Sequence, residues 1–440
     1  MSSLAEQAAE LHRKYRGKIE VIPKVPAFTR EDLTLTYTPG VAYPSKEIAR
    51  NKDLVFEYTN RGNTVAVMSD GTRVLGLGDI GPEAALPVME GKALLFKVYG
   101  GVDAIPICVA TMDVNEFCKI AKYLEPCLGG INLEDIASPK CFEIEERLKQ
   151  ELDIPVFHDD QHGTAVVALA GLLNALKLVD KHLEDVRILI AGAGAAGRAI
   201  ALFLLSAGAR GENMLIADSA GLLYQGRTER MNRWKENLAN ATNPECKKGP
   251  WEEHLKDIDV FIGVTGVPGC FPLNRIKEMA RDPILFTLTN PIPEIMPPEP
   301  TEEPMYYIKL AKEHGARVIA TGRSDLPNQI NNLLGFPAIF RGALDVRARD
   351  INEAMKKAAA EAIASLVSEE ELSEDYIIPR PYDLRYVPAE AMAVARAAME
   401  SGVARIQVDP RRVYEHAEAI VKRAHELMKF VTKLPPAGVL

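Results

Sequence analysis

Two pairs of adjacent acidic residues stand in segments that suit metal chemistry. Glu134 and Asp135 lie in GGINLEDIASP, and Asp159 and Asp160 lie in IPVFHDDQHGTA, between a strand-like run and a predicted helix. Mg²⁺ and Mn²⁺ prefer oxygen ligands, usually a few carboxylates together with substrate and water. Asp159 or Asp160 could instead cap the helix, and Glu134 and Asp135 could form a solvated turn. These residues alone leave both interpretations open.

Other side chains could carry acid–base or binding chemistry. Lys92, in PVMEGKALLFK, is predicted at the start of a buried helix, where the helix dipole disfavours a positive charge. It is therefore interpreted either as a functional charge or as a side chain that snorkels to solvent. Tyr37 precedes a Thr-Pro-Gly turn, where packing is also a common role. Three amides stand where they could bind a carboxylate or a nicotinamide, or cap a helix: Asn290, Asn331 and Asn332.

A glycine-rich turn predicts a dinucleotide site. Gly192-x-Gly194-x-x-Gly197 follows the apolar run VRILIA and opens a predicted helix, and Asp218 ends the next strand about 20 residues later. Glycines let the backbone approach a pyrophosphate, and the helix N-terminus, which begins with Ala195 and Ala196, supplies N–H donors. The alternative interpretation is a tight turn with a capping aspartate.

The residues after this motif leave the choice of dinucleotide open. The carboxylate of Asp218 could accept a hydrogen bond from the adenosine ribose and would repel a 2′-phosphate, which favours NAD. The basic residues that follow could fold back on a 2′-phosphate, as in NADP. They are Arg227, Arg230, Arg233 and Lys235.

The elements that must position these residues fall into three parts. Short strand-like runs alternate with helical stretches in residues 1–160, the alternation is more regular in 161–345, and residues 346–440 are mainly helical. This series predicts an α/β protein. We expect an N-terminal α/β catalytic domain, a doubly wound Rossmann-like dinucleotide-binding domain with a mostly parallel sheet, and a C-terminal helical segment that packs back on both.

The individual elements are predicted from hydrophobic periodicity. The predicted strands are TVAVMS, DAIPICVAT, IPVFH, VRILIAG, NMLIAD, DVFIGVTG, ILFTLTN and RVIATG. The predicted helices include a polar first helix, NEFCKIAKYLEPCLG, CFEIEERLKQEL, GTAVVALAGLLNALKLV, AAGRAIALFLLSAG and three in the C-terminal segment. The proline-rich NPIPEIMPPEPTEEP at 290–304 predicts a surface loop.

Composition narrows the class of protein. The formal net charge of the 440 residues is -9, which argues against a broad nucleic-acid surface. Six cysteines without a C-x-x-C pair do not form a disulfide framework, which indicates a reducing compartment. We find no secretory signal peptide and no apolar run long enough to cross a membrane. We therefore expect a cytoplasmic protein, and small anionic substrates remain possible because a local pocket can oppose the global charge.

Taken together, the segments resemble malic enzymes of the smaller, prokaryotic type. The matches run in family order through roughly residues 30 to 400, and two of them, YTPGVA at 37–42 and FHDDQHGTA at 157–165, are specific to the family. The glycine motif, AGAGAAG, is shared by many dehydrogenases. The other matching segments are SDGTRVLGLGDIG, EGKALLFK, INLEDI, TNP and TGRSDLPNQINNLLGFPAIFRGALD.

The resemblance implies a role for each candidate in the acid–base and metal chemistry. It implies that Mg²⁺ or Mn²⁺ is held by three residues, Glu134, Asp135 and Asp160. Lys92 matches the general base, and Asp159 matches a neighbouring carboxylate that contacts this lysine. Tyr37 matches the general acid that protonates the enol of pyruvate.

The resemblance also implies the substrate and the assembly. Arg73 matches the arginine that holds a carboxylate of L-malate, and the Asn331-Asn332 pair and Asn290 match the amides at the substrate and the nicotinamide. The implied reaction is oxidation of malate by NAD or NADP, followed by loss of CO₂ from oxaloacetate to give pyruvate. A homodimer or higher homo-oligomer is implied as well, with no nucleic-acid or membrane partner.

Three alternatives remain open at this stage. A malolactic enzyme uses related machinery and releases lactate. An amino-acid dehydrogenase also joins a lysine-bearing domain to a dinucleotide domain, but it does not need three acidic ligands. A non-catalytic dinucleotide-binding regulator would be favoured by loss of Lys92, Tyr37 or the acidic residues, all of which are present.

Overall fold

The computed structural model describes residues 4–74, 76–297 and 303–434. The strands are β1 (Thr64–Ser69), β2 (Asp103–Cys108), β3 (Gly130–Leu133), β4 (Val156–His158), β5 (Ile188–Ala191), β6 (Met214–Asp218), β7 (Gly221–Leu222), β8 (Val260–Gly263), β9 (Ile284–Thr287) and β10 (Val318–Thr321).

Helices surround these strands. They are α1 (Leu4–Tyr15), α2 (Arg30–Thr36), α3 (Ala42–Arg50), α4 (Val55–Tyr58), α5 (Pro82–Gly100), α6 (Val114–Leu124), α7 (Lys140–Glu151), α8 (Asp159–Leu178), α9 (Ala195–Ala207), α10 (Arg233–Ala241), α11 (Pro304–Glu313), α12 (Phe336–Asp345), α13 (Glu353–Ser365), α14 (Tyr386–Glu400) and α15 (Pro410–Val431).

Two separate sheets carry the strands. The first has the order β2-β1-β3-β4 and is parallel throughout. The second has the order β10-β9-β8-β5-β6-β7, with β7 antiparallel at one edge. In parallel sheets the carboxyl ends of the strands share one edge, and ligands bind where the strand order reverses. In the second sheet that point lies between β5 and β8, so the glycine turn after β5 stands at the expected place.

The C-terminal helices join the two sheets into one body. Helix α13 packs on α8, and α15 packs on α5. The ring of Phe96 on α5 makes edge contacts with Phe336 and Phe340 of α12 at centroid distances of 4.6 and 5.2 Å. These aromatic contacts fix α5 against the helices that follow the second sheet, which matters because α5 carries Lys92.

The predicted α/β class, with its Rossmann-like domain and C-terminal helices, is confirmed. Each of the eight predicted strands is present, whereas β3 and the two-residue β7 have no counterpart among them. Strand β3 is only four residues long and is buried throughout, so it shows no alternation of apolar and polar residues.

Two local predictions are wrong. Lys92 lies in the middle of α5 and not at the start of a helix, because α5 continues through Pro87 and Gly91. The proline-rich segment at 290–304 is not wholly a surface loop. Its residues Ile295 and Met296 pack into the core of the second domain, and residues 298–302 lie outside the described part of the chain. In the described residues, no helix combines the length and apolar character needed to cross a membrane.

Candidate active site

The carboxyl ends of both sheets face one cleft of about 1520 Å³. From the first sheet and α5 it is lined by Lys92, Glu134, Asp135 and Asp160. The second sheet contributes the glycine turn after β5, the loop after β8 and the end of β9. The structure thereby brings the predicted metal ligands, the predicted base and the predicted dinucleotide motif to a single site.

The three acidic residues come together where two neighbouring strands end. Glu134 and Asp135 follow β3, and Asp160 lies in the first turn of α8 after β4. One ligand atom from each residue lies within 4.8 Å of the others. Glu134 and Asp135 are buried, so the solvated-turn interpretation is wrong.

Hydrogen bonds from the backbone and from a neighbouring side chain hold these carboxylates in place. The N–H of Asp135 donates to Oδ2 of Asp160 at 2.8 Å, and the side chain of Asn132 donates to Oε2 of Glu134 at 2.9 Å. Asp135 itself has a φ of 54°, which is unusual for a residue other than glycine. Its carbonyl accepts from the N–H of Arg73 at 3.0 Å. The loop that carries Arg73 is therefore tied directly to the acidic cluster.

Lys92 is buried among carboxylates. Its Nζ lies 2.5 Å from Oδ2 of Asp159 and 2.9 Å from Oε1 of Glu134. Nζ also lies 4.3 Å from the centroid of the Phe336 ring. Burial lowers the pKa of Lys92, but Asp159 and Glu134 outweigh it, and the net pKa is raised. In this arrangement Lys92 holds its proton.

The charge balance of the cluster fits a divalent cation. Four carboxylates lie close together here, of which Glu134 and Asp159 pair with the ammonium of Lys92 and Asp160 lies 3.1 Å from Nε2 of His158. Burial raises the pKa of Glu134 well above its ordinary value, and Lys92 only partly opposes this effect. Several buried carboxylates with one ammonium are costly without further positive charge. Oxygen donors on two adjacent strand ends are also the donor set that Mg²⁺ or Mn²⁺ prefers.

The predicted substrate residues line the same cleft, with different side-chain roles. Arg73 reaches towards the loop after β8, since a Cβ at Gly266 would lie 3.4 Å from its NH2. Asn332 donates to Oδ2 of Asp159 at 2.6 Å, so it orients the carboxylate that contacts Lys92. Asn331 lines the cleft, but its Oδ1 accepts from the N–H of Leu333 and caps a short 3₁₀ turn.

Asn290 lies at an open part of the cleft, whereas Gly163 shows how closely the site is packed around Asp159. Asn290 lines the cleft and is exposed at the end of β9. A Cβ on Gly163 would lie only 1.8 Å from Oδ1 of Asp159. The glycine in FHDDQHGTA is therefore required by the carboxylate one turn earlier, whatever its place in a motif.

Tyr37 does not join the other candidates. Its side chain is 71% exposed, and it is not among the residues that line the cleft. It follows α2 in an N-terminal stretch that packs weakly on the rest of its own chain. The structure thus brings Lys92, the acidic residues and Arg73 together, and leaves the predicted acid outside.

The glycine motif has the geometry of a phosphate-binding turn. Gly192 has a φ of 117°, and a Cβ there would lie 2.4 Å from the carbonyl oxygen of Val264. A Cβ on Gly197 would lie 1.8 Å from the carbonyl oxygen of Gly192. Gly194 is the N-cap of α9, and a Cβ there would meet nothing within 4 Å. The open space beside an uncapped helix N-terminus fits a pyrophosphate.

Asp218 is already engaged by its own chain. Its two carboxylate oxygens accept from Nη2 of Arg227 at 2.6 and 2.8 Å, from Nζ of Lys235 at 2.5 Å and from the N–H of Ala220 at 2.9 Å. A carboxylate offers about four lone-pair sites. A ribose hydroxyl could therefore bind Asp218 only if one of these donors moved away.

Sequence reasoning missed a buried set of polar residues behind the metal ligands. Glu145, His158, Gln161 and His162 lie in contact beneath Asp160, and the Gln161 amide hydrogen-bonds to Glu145 and to Nδ1 of His158. Three of them stand in the same FHDDQHGTA segment that supplied the acidic pair. Their spacing is a signal that could have been noticed, but Glu145 lies on α7 and is brought to them only by the fold.

The fold and the site together define a class of protein. A glycine-turn domain that faces a buried lysine–carboxylate cluster across one cleft is the architecture of an oxidoreductase that uses a nicotinamide dinucleotide.

Comparisons with known proteins give the family. The model for "Malic enzyme, NAD binding domain" matches residues 161–399, and the model for "Malic enzyme, N-terminal domain" matches residues 16–149. The chain belongs to the malic enzyme family, and the resemblance noted in its sequence is confirmed.

Individual relatives agree. The chain is 55% identical to a protein of Bacillus subtilis (strain 168) named bifunctional malic/malolactic enzyme, over 94% of this chain and 97% of the relative. It is 46% identical to an NADP-dependent malic enzyme of Rhizobium meliloti (strain 1021), over 94% of this chain and 54% of the relative. A crystal structure of malic enzyme from Pyrococcus horikoshii superposes with a TM-score of 0.91, at 51% identity, over 98% of this chain and 99% of that one.

Proposed function

We propose that this chain catalyses the metal-dependent oxidative decarboxylation of L-malate to pyruvate and CO₂, with reduction of NAD or NADP. The observation that supports this most strongly is Lys92, which lies within hydrogen-bonding distance of Asp159 and Glu134 and faces the glycine turn across one cleft. Glu134, Asp135 and Asp160 would hold the cation. A cation bound by these residues would supply Lewis-acid chemistry, and a nicotinamide at the glycine turn would supply the hydride acceptor.

The chain's own residues divide the remaining work. Arg73 binds a carboxylate of malate, because a guanidinium matches its two oxygens. Lys92 takes the proton of the C2 hydroxyl as the C2–H hydride leaves. When the C3–C4 bond breaks, CO₂ leaves and the electron pair remains on the enolate of pyruvate, which Tyr37 protonates at C3. Asn332 and Asp159 orient Lys92, and Asn290 and Asn331 line the substrate and nicotinamide end of the cleft.

A second activity has a specific observation in its favour. The Bacillus subtilis relative is named for malolactic as well as malic activity. Incubation with L-malate, Mg²⁺ and either dinucleotide separates the two. Pyruvate formed in step with reduced dinucleotide supports the proposal, whereas lactate without net reduction of the dinucleotide would assign the malolactic reaction.

An exposed N-terminal arm bears on the assembly. We define the arm as residues 19–50. It holds ten of the 27 large apolar side chains that are exposed in the described part of the chain, including Val21 at 100% and Phe28 at 93%. Helices α2 and α3 bury none of their residues. An isolated helix of seven residues is marginal in water, and a monomer rarely exposes so large an apolar surface.

We propose that the chain is a homodimer in which the arms are exchanged, so that Tyr37 of one copy completes the cleft of the other. A second copy of the chain is the favoured partner for two reasons. The predicted acid is not among the residues that line the cleft, and Tyr37 is exposed outside the cleft of its own chain. Leu77, Ile80 and Leu86 also leave apolar surface exposed in the loop after Arg73 and at the start of α5. A two-fold axis would make the exchange reciprocal.

Mixed dimers test the exchange. Tyr37→Phe and Lys92→Ala homodimers are each expected to lose about 10²- to 10⁴-fold in turnover. A heterodimer of the two chains, isolated through two different tags, then holds one complete site and regains about half of the wild-type activity. A heterodimer as inactive as its parents would refute the exchange. Tyr43→Phe, at another exposed tyrosine of the arm, serves as the control.

The arrangement at Asp218 supports the use of both dinucleotides. Arg227 is buried and also donates to the carbonyl oxygens of Gly221 and Leu222, so it is fixed. Lys235 lines the cleft, and its Nζ donates to the carbonyl oxygen of Arg230 as well as to Asp218. If Lys235 moves to a 2′-phosphate, Oδ2 of Asp218 loses one of its two donors and keeps the one from Arg227. The sequence alone suggests that Asp218 repels the 2′-phosphate of NADP. Because Arg227 and Lys235 both pair with this carboxylate, its negative charge is balanced and that repulsion is removed.

Lys235→Ala is expected to lower kcat/KM for NADP⁺ by about tenfold or more, the value of one charge-assisted hydrogen bond, and to change that for NAD⁺ much less. Arg233→Ala is the matched control on the same helix, since Arg233 pairs with Glu146. Equal losses with the two dinucleotides would mean that Lys235 only supports the loop. Asp218→Ala is a poorer test, because it would leave Arg227 buried without its carboxylate.

The remaining proposals concern organisation. We propose that domain boundaries fall after residues 160 and 345, on the grounds that the two sheets share no strand and that α12 ends at Asp345. All six cysteines are free, which supports our assignment to a reducing compartment such as the cytoplasm.

A further inference from the structure

Glu294 lies behind the wall of the cleft that the second sheet contributes. It is fully buried in the proline-rich segment after β9. Its Oε1 accepts from the N–H of Thr265 at 2.9 Å and from the hydroxyl of Thr265 at 3.0 Å. The N–H of Thr289 donates to Oε2 at 3.2 Å, and the hydroxyl of Thr289 donates to Oε1. One carboxylate thereby holds residues from two loops, since Thr265 follows β8 and Thr289 follows β9.

The two loops are also tied directly to each other. The hydroxyl oxygen of Thr289 accepts from the N–H of Gly266 at 3.0 Å. A hydroxyl has one hydrogen to donate, and Thr289 directs its own to Glu294, so Glu294 orients the oxygen that holds Gly266. Gly263, the last residue of β8, makes room for this arrangement, because a Cβ there would lie 2.7 Å from Cδ of Glu294.

These two loops form the part of the cleft that faces Arg73. Gly266, Thr289 and Asn290 line the cleft, whereas Glu294 itself does not. A Cβ on Gly266 would lie 3.4 Å from Nη2 of Arg73, so the loop after β8 lies against the guanidinium. A displacement of about 1 Å caused by a change far from the chemistry can cost about 10²-fold in turnover. Glu294 can therefore affect the reaction through these loops without touching substrate or cofactor.

We propose that Glu294 is a positioning residue that ties the loops after β8 and β9 into one wall, and so fixes the groups that receive malate and the nicotinamide opposite Arg73. The inference rests on the proposed function and adds to it a residue that holds the site from behind. All four hydrogen bonds come from these loops. Replacing the carboxylate releases the loops and leaves the strands paired through their own backbones.

Glu294→Gln tests the proposal because it keeps the size of the side chain. With the amide oxygen in the place of Oε1, the amide nitrogen would face the N–H of Thr289, so two donors would meet. We expect kcat/KM for malate to fall about 10- to 100-fold, while the Kd of ADP, which lacks the nicotinamide half, is unchanged. Thr287→Val is the matched control and should keep wild-type values. It removes a buried hydroxyl of β9 that donates to the carbonyl of Ala320, outside the cleft.

Hydrogen exchange in the wild-type protein covers the case in which Glu294→Gln does not fold. Gly266 is exposed, but its N–H is hydrogen-bonded to Thr289. Its amide and that of Thr265 should exchange about tenfold or more slowly than unprotected amides. Unprotected exchange at these two amides overturns the proposal, as does wild-type kcat/KM in folded Glu294→Gln or an equal loss of ADP affinity. Wild-type protein that reduces no dinucleotide with malate would instead refute the proposed function, and the exchange rates would still show whether the loops are held.

Discussion

Lys92→Ala is expected to lower kcat for malate oxidation by about 10²- to 10⁴-fold, the contribution usual for a positioned general base. Binding of NAD⁺ or NADP⁺ should survive, since Lys92 lies on α5 and the glycine turn lies after β5. The measurement is the single-turnover rate of dinucleotide reduction at saturating malate. A small added amine should restore part of the rate, because the substitution leaves a space of the right size beside Asp159.

Two variants separate the proton from the charge. Lys92→Arg keeps a positive group near Glu134 and Asp159, but a guanidinium does not lose its proton in proteins, so this variant should stay folded and inactive. Lys97→Ala, five residues along the same helix, removes an ion pair with Asp103 and should keep most activity. Wild-type turnover in folded Lys92→Arg would show that Lys92 is structural.

Most of the fold could be predicted from the sequence because buried parallel strands appear as nearly continuous apolar runs. Apolar runs that end in small polar residues predicted eight of the strands, and the glycine motif marked the switch in the second sheet. Strand β3 was not predicted because it is short and wholly buried. The middle position of Lys92 escaped because Pro87 and Gly91 suggest a break in α5, whereas its burial against α12 keeps the helix continuous.

The candidate site could be predicted from the sequence only in part. The residues themselves left the acidic pairs ambiguous, and the resemblance to the family supplied their roles. Sequence cannot show that Arg227 and Lys235 both hold Asp218, because that depends on how the chain folds back after β7. Nor can it show that Tyr37 is exposed. The burial of Glu294, in the proline-rich segment, could not be predicted either. Its carboxylate accepts from the N–H groups of Thr265 and Thr289, and only the fold brings Thr265 to it.

Removal of divalent cations is expected to lower turnover about as much as Lys92→Ala does. Loss of a Lewis acid worth several kcal/mol lowers turnover by about 10³-fold. The structure gives a second reason. Burial lowers the pKa of Lys92, but without a cation the carboxylates of Asp159 and Glu134 raise it by more, so the predicted base keeps its proton. Asp160→Asn should show the same loss at a Mg²⁺ concentration that saturates wild type, while the protein remains folded and binds dinucleotide.

The most direct test of the account follows CO₂ release from malate labelled with ¹³C at C4. In the presence of Mg²⁺ or Mn²⁺, labelled CO₂, pyruvate and reduced dinucleotide should appear in equal amounts. Excess chelator should stop all three, and added metal should restore them. Full release of labelled CO₂ in excess chelator, or reduction of the dinucleotide without loss of CO₂, would contradict the central claim that Lys92 and the three acidic residues form a metal-dependent decarboxylating site.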